Sequence, residues 1–155
     1  MSIQRAKQHL DKFGLADRVL EFEVSSATVA QAADAAGCRE CEIAKTLSFD
    51  VEDKPVLIVV AGDMKIDNSK FKAQFHTKAK MLAFDDVERL VGHAVGGVCP
   101  FGINDGVDVY LDVSLKRFDM VYPACGSSNS AIKLTIDELE KASGYLEWID
   151  VCKEM

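Results

Sequence analysis

The stretch from Ile43 to Ala61 changes its hydrophobic period half-way, and that change constrains the fold more than any other feature of the chain. In IAKTLSFDV (43–51) alternate positions fall together, with Ile43, Lys45, Leu47, Phe49 and Val51 on one face of an extended segment. Ala44, Thr46, Ser48 and Asp50 take the other face. After a turn over Glu52 to Pro55, VLIVVA (56–61) contains no polar residue. An unbroken apolar run of this length is the pattern of a central strand covered on both sides.

The flanking sequence supplies the covering layers. Ile3, Ala6, Leu10 and Phe13 recur at helical spacing and stop near Gly14. LEFEV (20–24) alternates as a half-buried strand, and Thr28 with Gln31 begins an alanine-rich helix that ends at Gly37. Helices are expected over 68–75 and 85–90, with a short strand at 81–83 between them. Strands follow at 107–113, 120–124 and 131–134, separated by a GSSN turn at 126–129. Thr135 and Glu138 form a second capping box for a helix ending at Gly144, and YLEWIDV is a last short strand. No linker or repeat divides the pattern, so residues 1–155 are expected to form a single mixed α/β domain.

Composition narrows the function classes. Hydrophobic residues make up 48 % and charged residues 28 %, the profile of an ordinary globular protein. The N-terminal MSIQRAKQHLDKF lacks a signal-peptide core and no segment has the length of a membrane span, so a cytoplasmic location without membrane attachment is expected. The five cysteines, an odd number, are then most simply free thiols. A net charge of −7 argues against non-specific coating of nucleic acid, while leaving room for a small site that recognises one nucleic-acid end.

Several positions carry candidate chemistry. Cys38 and Cys41 form a C-x-x-C, but a structural zinc site needs two more ligands, and His9, His76 and His93 lack H-x3-5-H spacing. A dithiol redox site needs the pair at a helix N-terminus, and this pair follows a helix-ending glycine. Lys45 is the one charge on an otherwise apolar face: its head either snorkels to water or meets an anionic ligand in a pocket. The loop HAVGGVCPFG (93–102) is either a tight turn or a set of backbone N–H donors brought close to a ligand by Gly96, Gly97 and Gly102. It matches neither the P-loop nor the dinucleotide fingerprint. His93 is a general-base candidate or a structural residue, and Ser127, Ser128 and Asn129 have first of all the chemistry of a turn.

IAKTLSF (43–49), VLIVVAGDMKID (56–67), AVGGVCPFG (94–102) and MVYPACGSSNSAIKL (120–134), taken in this order, resemble the YbaK/EbsC family, the prolyl-tRNA synthetase editing-domain superfamily of aminoacyl-tRNA deacylases. The resemblance runs from about Val19 to the last helix. It implies a barrel-like mixed β-sheet surrounded by helices, in a free-standing hydrolase that cleaves the ester of a mischarged tRNA, tRNA-Pro or another carrying a small amino acid. The implied partners are the tRNA acceptor end and an aminoacyl-tRNA synthetase, and no metal or other cofactor is implied. The family's functional lysine falls on Lys45 and its G-x-x-x-P loop on Gly96 to Pro100, giving Lys45 and Gly96 as catalytic. Gly97, Val98, Cys99, Pro100 and Phe101, with a second glycine turn at Gly126 and Ser127, are the implied substrate-binding residues. Where the Cys-tRNA deacylase branch has a hydroxyl and an acid, Ala124 and Ala131 stand here. The alternative is a non-catalytic module that binds a small ligand or a synthetase through the same pocket.

Overall fold

The computed structural model describes residues 2–155. Its strands are β1 (Val19–Glu21), β2 (Ile43–Val51), β3 (Lys54–Ala61), β4 (Met64–Ile66), β5 (Asp108–Asp112), β6 (Met120–Pro123), β7 (Ser130–Ile132), β8 (Leu134–Thr135), β9 (Trp148–Ile149) and β10 (Cys152–Glu154). The helices are α1 (Ser2–Asp11), α2 (Val29–Ala36), α3 (Asn68–Phe75), α4 (Phe84–Val91) and α5 (Ile136–Ser143). Six strands, in the order β8-β6-β2-β3-β5-β9, form one sheet that curls as a half-barrel. β1 pairs with β7 and β4 with β10 at its margins.

The hairpin of β2 and β3 is the axis of this sheet, paired in one register from Ala44↔Ala61 to Val51↔Lys54. Glu52 and Asp53 turn the chain with positive φ. Opposed residues point the same way, so Ala44, Leu57, Val59 and Ala61 share a face with Val109 and Leu111 of β5. That face is buried under Ala6 and Leu10 of α1, Val87 and Val91 of α4, and Leu139 and Ala142 of α5. The opposite face presents Phe49, Val56, Ile58 and Val60 to Phe71 of α3 and to Val151 and Cys152. Val56 to Ala61 is buried at every position, as its sequence demands.

Local signals explain most element ends. Thr135 and Glu138 complete both halves of their capping box, at 3.1 and 2.9 Å. Thr28 accepts from the Gln31 N–H at 3.1 Å, but the Gln31 side chain is held by Ser25 instead of returning to residue 28. Residues 81–83 are not a strand. A single bridge joins Met81 to Phe49, and the segment bonds the edge of β2 only through Lys80 and Leu82. β4 and β10 had no periodic signal, being three residues each with lysine at the centre. Buried Asp112 fastens the C-terminal segment to the sheet: one carboxylate oxygen accepts from the Ser114 N–H, the other from the Val151 N–H, both at 2.9 Å.

Phe71 stacks between Phe49 and Phe75, with ring centroids 4.9 and 4.7 Å apart, and is fully buried. Phe71→Ala is expected to lower stability by about 3–5 kcal/mol through lost burial and an unfilled cavity. Urea unfolding monitored by circular dichroism measures it.

Candidate active site

The sheet opens where β2 parts from β6. Only Ile43 and Ala44 pair with β6, at Tyr122 and Pro123. Further along the same edge, the Ser48 carbonyl accepts from the Leu82 N–H and the Asp50 N–H donates to Lys80. Between these two attachments, around Thr46, no strand of the described residues lies beside the edge. The alternation of ladder bonds aims the Thr46 backbone groups into that gap.

A cavity of about 430 Å³ fills the gap. One wall is β2 from Ile43 to Ser48, another is Ser26 to Val29 at the start of α2, and a third is Tyr122, Ala124, Ser130 and Ala131. Val95, Gly96 and Val98 close it from the glycine loop. Its polar groups are few. The Ser26 and Thr46 side-chain oxygens are buried and have no partner among the described residues, leaving two unfilled hydrogen-bonding positions in its walls.

Lys45 and Gly96 line this one cavity although 51 positions separate them in sequence. The Lys45 ammonium, half-buried, donates to the carbonyls of Gly62, in the turn after β3, and of Met64, at the start of β4. Burial pushes its pKa below the ordinary lysine value, with nearby Asp63 acting in the opposite direction. Lys45 therefore does not extend freely to water as a snorkelling side chain does.

The glycine loop splits into a surface and a support. Gly96 has φ of 99°, open to glycine at little cost, and with Val98 it faces the cavity. Among the described residues, the N–H groups of Gly96 and Val98 have no intramolecular acceptor, whereas that of Gly97 donates to Ala94. Gly97 lies behind, its carbonyl accepting from the Gly126 N–H at 3.0 Å. A Cβ at Gly97 would come within 2.5 Å of the Ser127 nitrogen, so only glycine lets the loop and the 126–129 turn touch. The Ser127 hydroxyl bonds Asn129 and Ser130 and lies outside the cavity lining. Cys99 and Phe101 are buried in the core, and Pro100 borders a different cleft, beside α1.

His93 holds this support in place. Its Nε2 lies 2.6 Å from the Phe101 carbonyl, which only accepts, so Nε2 carries the hydrogen and Nδ1 is bare. Nδ1 has no partner among the described residues. His93 does not line the cavity, which removes it from the general-base position. Cys99, beside it, has a thiol that burial pushes up to about 12. Cys38 is likewise pushed up to about 11 by burial and by Glu42, the reverse of what a dithiol redox centre requires. Among the described residues no group of three or more His, Cys, Asp or Glu is placed to hold a metal ion. None of their helices is long and apolar enough to cross a membrane.

The profile of the aminoacyl-tRNA editing domain matches residues 23–142. The chain belongs to that family. It is 52 % identical to the uncharacterized protein YwhH of Bacillus subtilis (strain 168) over 155 residues, 99 % of each chain. Proline--tRNA ligase of the same organism is 34 % identical over 85 residues, which are 54 % of this chain and 15 % of the ligase. A crystal structure of a candidate trans-editing enzyme for prolyl tRNA synthetase superposes with TM-score 0.88 at 29 % identity, covering 98 % of this chain and 97 % of that one. That of a hypothetical protein superposes with TM-score 0.85 at 27 % identity over 96 % and 99 % of the two chains.

Sequence reasoning missed the wall at Ser26 to Val29 and the rim formed by Met81, Phe84 and Val95. Neither has a motif, since each contributes by its position at a helix start or in a loop.

Burial depresses the His93 pKa below the ordinary 6.5. Between the two values the unfolded chain holds a proton that the folded chain declines, so stability falls as pH falls through 6.5. Urea unfolding from pH 7.5 to 5 is expected to show a slope of up to about 1.4 kcal/mol per pH unit that His93→Asn removes. Equal slopes in both proteins place the titrating group elsewhere.

Proposed function

We propose that the protein is a free-standing editing deacylase that hydrolyses the ester of a mischarged aminoacyl-tRNA, with tRNA-Pro or another tRNA carrying a small amino acid as substrate. The observation that carries this reading is the convergence of Lys45 with the unengaged N–H groups of Gly96 and Val98 on one small, mostly apolar cavity. Family membership and the likeness to the trans-editing structure support it.

An aminoacyl ester offers such a cavity three chemically distinct parts. The amino-acid side chain is small and fits between Val29, Val87, Ala124 and Ala131. Its ester carbonyl becomes an oxyanion in the tetrahedral intermediate, and backbone donors in a site screened from water stabilise that charge. The terminal nucleotide brings a phosphate, for which an ammonium is the natural partner. In this scheme Gly96 and Val98 hold the oxyanion and Lys45 orients the tRNA end, exchanging its backbone carbonyl partners for the phosphate. Water is the nucleophile, activated by the neighbouring ribose hydroxyl of the substrate.

Gly97, Cys99, Pro100, Phe101, Gly126 and Ser127 then act from behind the loop, fixing where the donors stand. With methyl groups at 124 and 131, selection rests on size more than on charge. One methylene changes binding by only about 1–3 kcal/mol in such a pocket, so discrimination among small amino acids is expected to be modest. A synthetase partner would supply affinity for the tRNA body that this acidic chain lacks.

Lys45→Ala is expected to fold normally and to lower deacylation at least about 100-fold, comparable with the loss of one transition-state donor. The measurement is release of labelled amino acid from a panel of mischarged prolyl, alanyl, seryl and threonyl tRNAs. Full activity of the variant on every substrate would overturn the mechanism. An inactive wild type that binds a stable substrate analogue would instead identify a binding module.

A further inference from the structure

The cavity has an apolar lip that its interior does not account for. Phe84 is 74 % exposed, Met81 53 % and Val95 49 %, and all three line the cavity. Among the described residues no other phenylalanine is more than half exposed; the next, Phe13, is at 42 %. A single exposed apolar side chain is unremarkable on a protein surface, whereas three around one cavity mouth form a patch. α4 starts at Phe84, with no side-chain cap from Ala83, and the ring at this first helical position is left open among the described residues.

Resting on the deacylase reading, we infer that Phe84 is the stacking platform for the terminal adenine of the tRNA, with Met81 and Val95 as its apolar borders. An aminoacyl group inside the cavity carries its ribose to the mouth, and the base attached to that ribose must lie on the rim. An unpaired base has an apolar face that aromatic side chains bind without hydrogen bonds. Asp85 and Asp86 follow Phe84 directly, and their negative charge disfavours a phosphate at this part of the rim. Lys45, in another part of the cavity wall, leaves the two ends of the nucleotide on different elements, base on α4 and phosphate by β2.

The probes are stable amide analogues, 3′-alanylamino, 3′-serylamino and 3′-threonylamino derivatives of adenosine, and the same compounds with the base removed. Binding is measured by calorimetry on wild type, Phe84→Ala and Phe84→Tyr, with circular dichroism as the folding control. Phe84→Ala is expected to weaken the adenosine compounds roughly tenfold, a typical loss for one stacked base, and to leave the base-free compounds unchanged. Phe84→Tyr, which keeps the ring, restores wild-type affinity. Phe84→Trp gains a fluorescence signal that the adenosine compounds quench and the base-free compounds do not.

Equal weakening of both sets by Phe84→Ala overturns the inference, because the ring would then shape the aminoacyl site. Unchanged affinity for every compound overturns it too, as does failure of the wild type to bind any adenosine compound. The deacylase reading fails separately: stacking seen with these analogues, but no hydrolysis of any mischarged tRNA, sinks the catalytic proposal and leaves the base site standing.

Discussion

The departure of β2 from β6 after Ala44 is the constraint from which the site follows. Had the two strands stayed paired along their length, backbone hydrogen bonds would fill the space where the cavity lies. They separate because β6 continues into the 124–129 turn and β7, which pairs with β1 and not with β2. β2 cannot follow, since its other edge is locked to β3 through eight residue pairs. The hairpin thus supplies a rigid wall. Loops and short helices close around that wall.

Rigidity extends to the glycine loop by a different route. Gly97 is pressed against the backbone of Gly126 and Ser127, and the His93 ring ties the far end of the loop at Phe101. Beside these supports Gly96 and Val98 face the cavity, and among the described residues their N–H groups have no intramolecular acceptor. Donors that act on developing charge are effective when they need not reorganise during the reaction. A neutral histidine in an apolar setting suits this supporting role, for it gives one strong hydrogen bond and carries no charge that would need a counter-ion.

Periodicity in the sequence made the sheet legible because β2 and β3 are long and their two faces differ in kind. The run Val56 to Ala61 declares a central strand, and Lys45 declares itself by interrupting an apolar face. Capping residues located α2 and α5 for the same reason: they satisfy helix-end groups through bonds three residues apart in the chain. Residues 81–83 deceived, since an edge contact of two hydrogen bonds has the same local composition as a strand. β4 and β10 escaped because their partners are about ninety residues away and their own sequences are too short to alternate. The resemblance to the editing family joins Lys45 to Gly96, and both line the one cavity. It did not separate the loop's cavity-facing residues from those behind, since that division depends on which backbone faces Gly126. The lip at Phe84 left no trace in the sequence, because exposure is a property of what fails to cover a residue.

The gap on the β2 edge also bears on self-association. A strand edge without a neighbour is a template on which another chain can add itself, and long flat edges lead to aggregation. Here the unpaired stretch lies between the β6 pairing at Ala44 and the Leu82 bond at Ser48, which leaves room for little more than the backbone of one residue. A foreign strand needs several consecutive pairs to hold, and this opening denies them. A ligand the size of an amino acid needs only one or two. The width of the opening therefore sorts by the length of what would bind, admitting a small molecule at a place where a second polypeptide finds too little to grip.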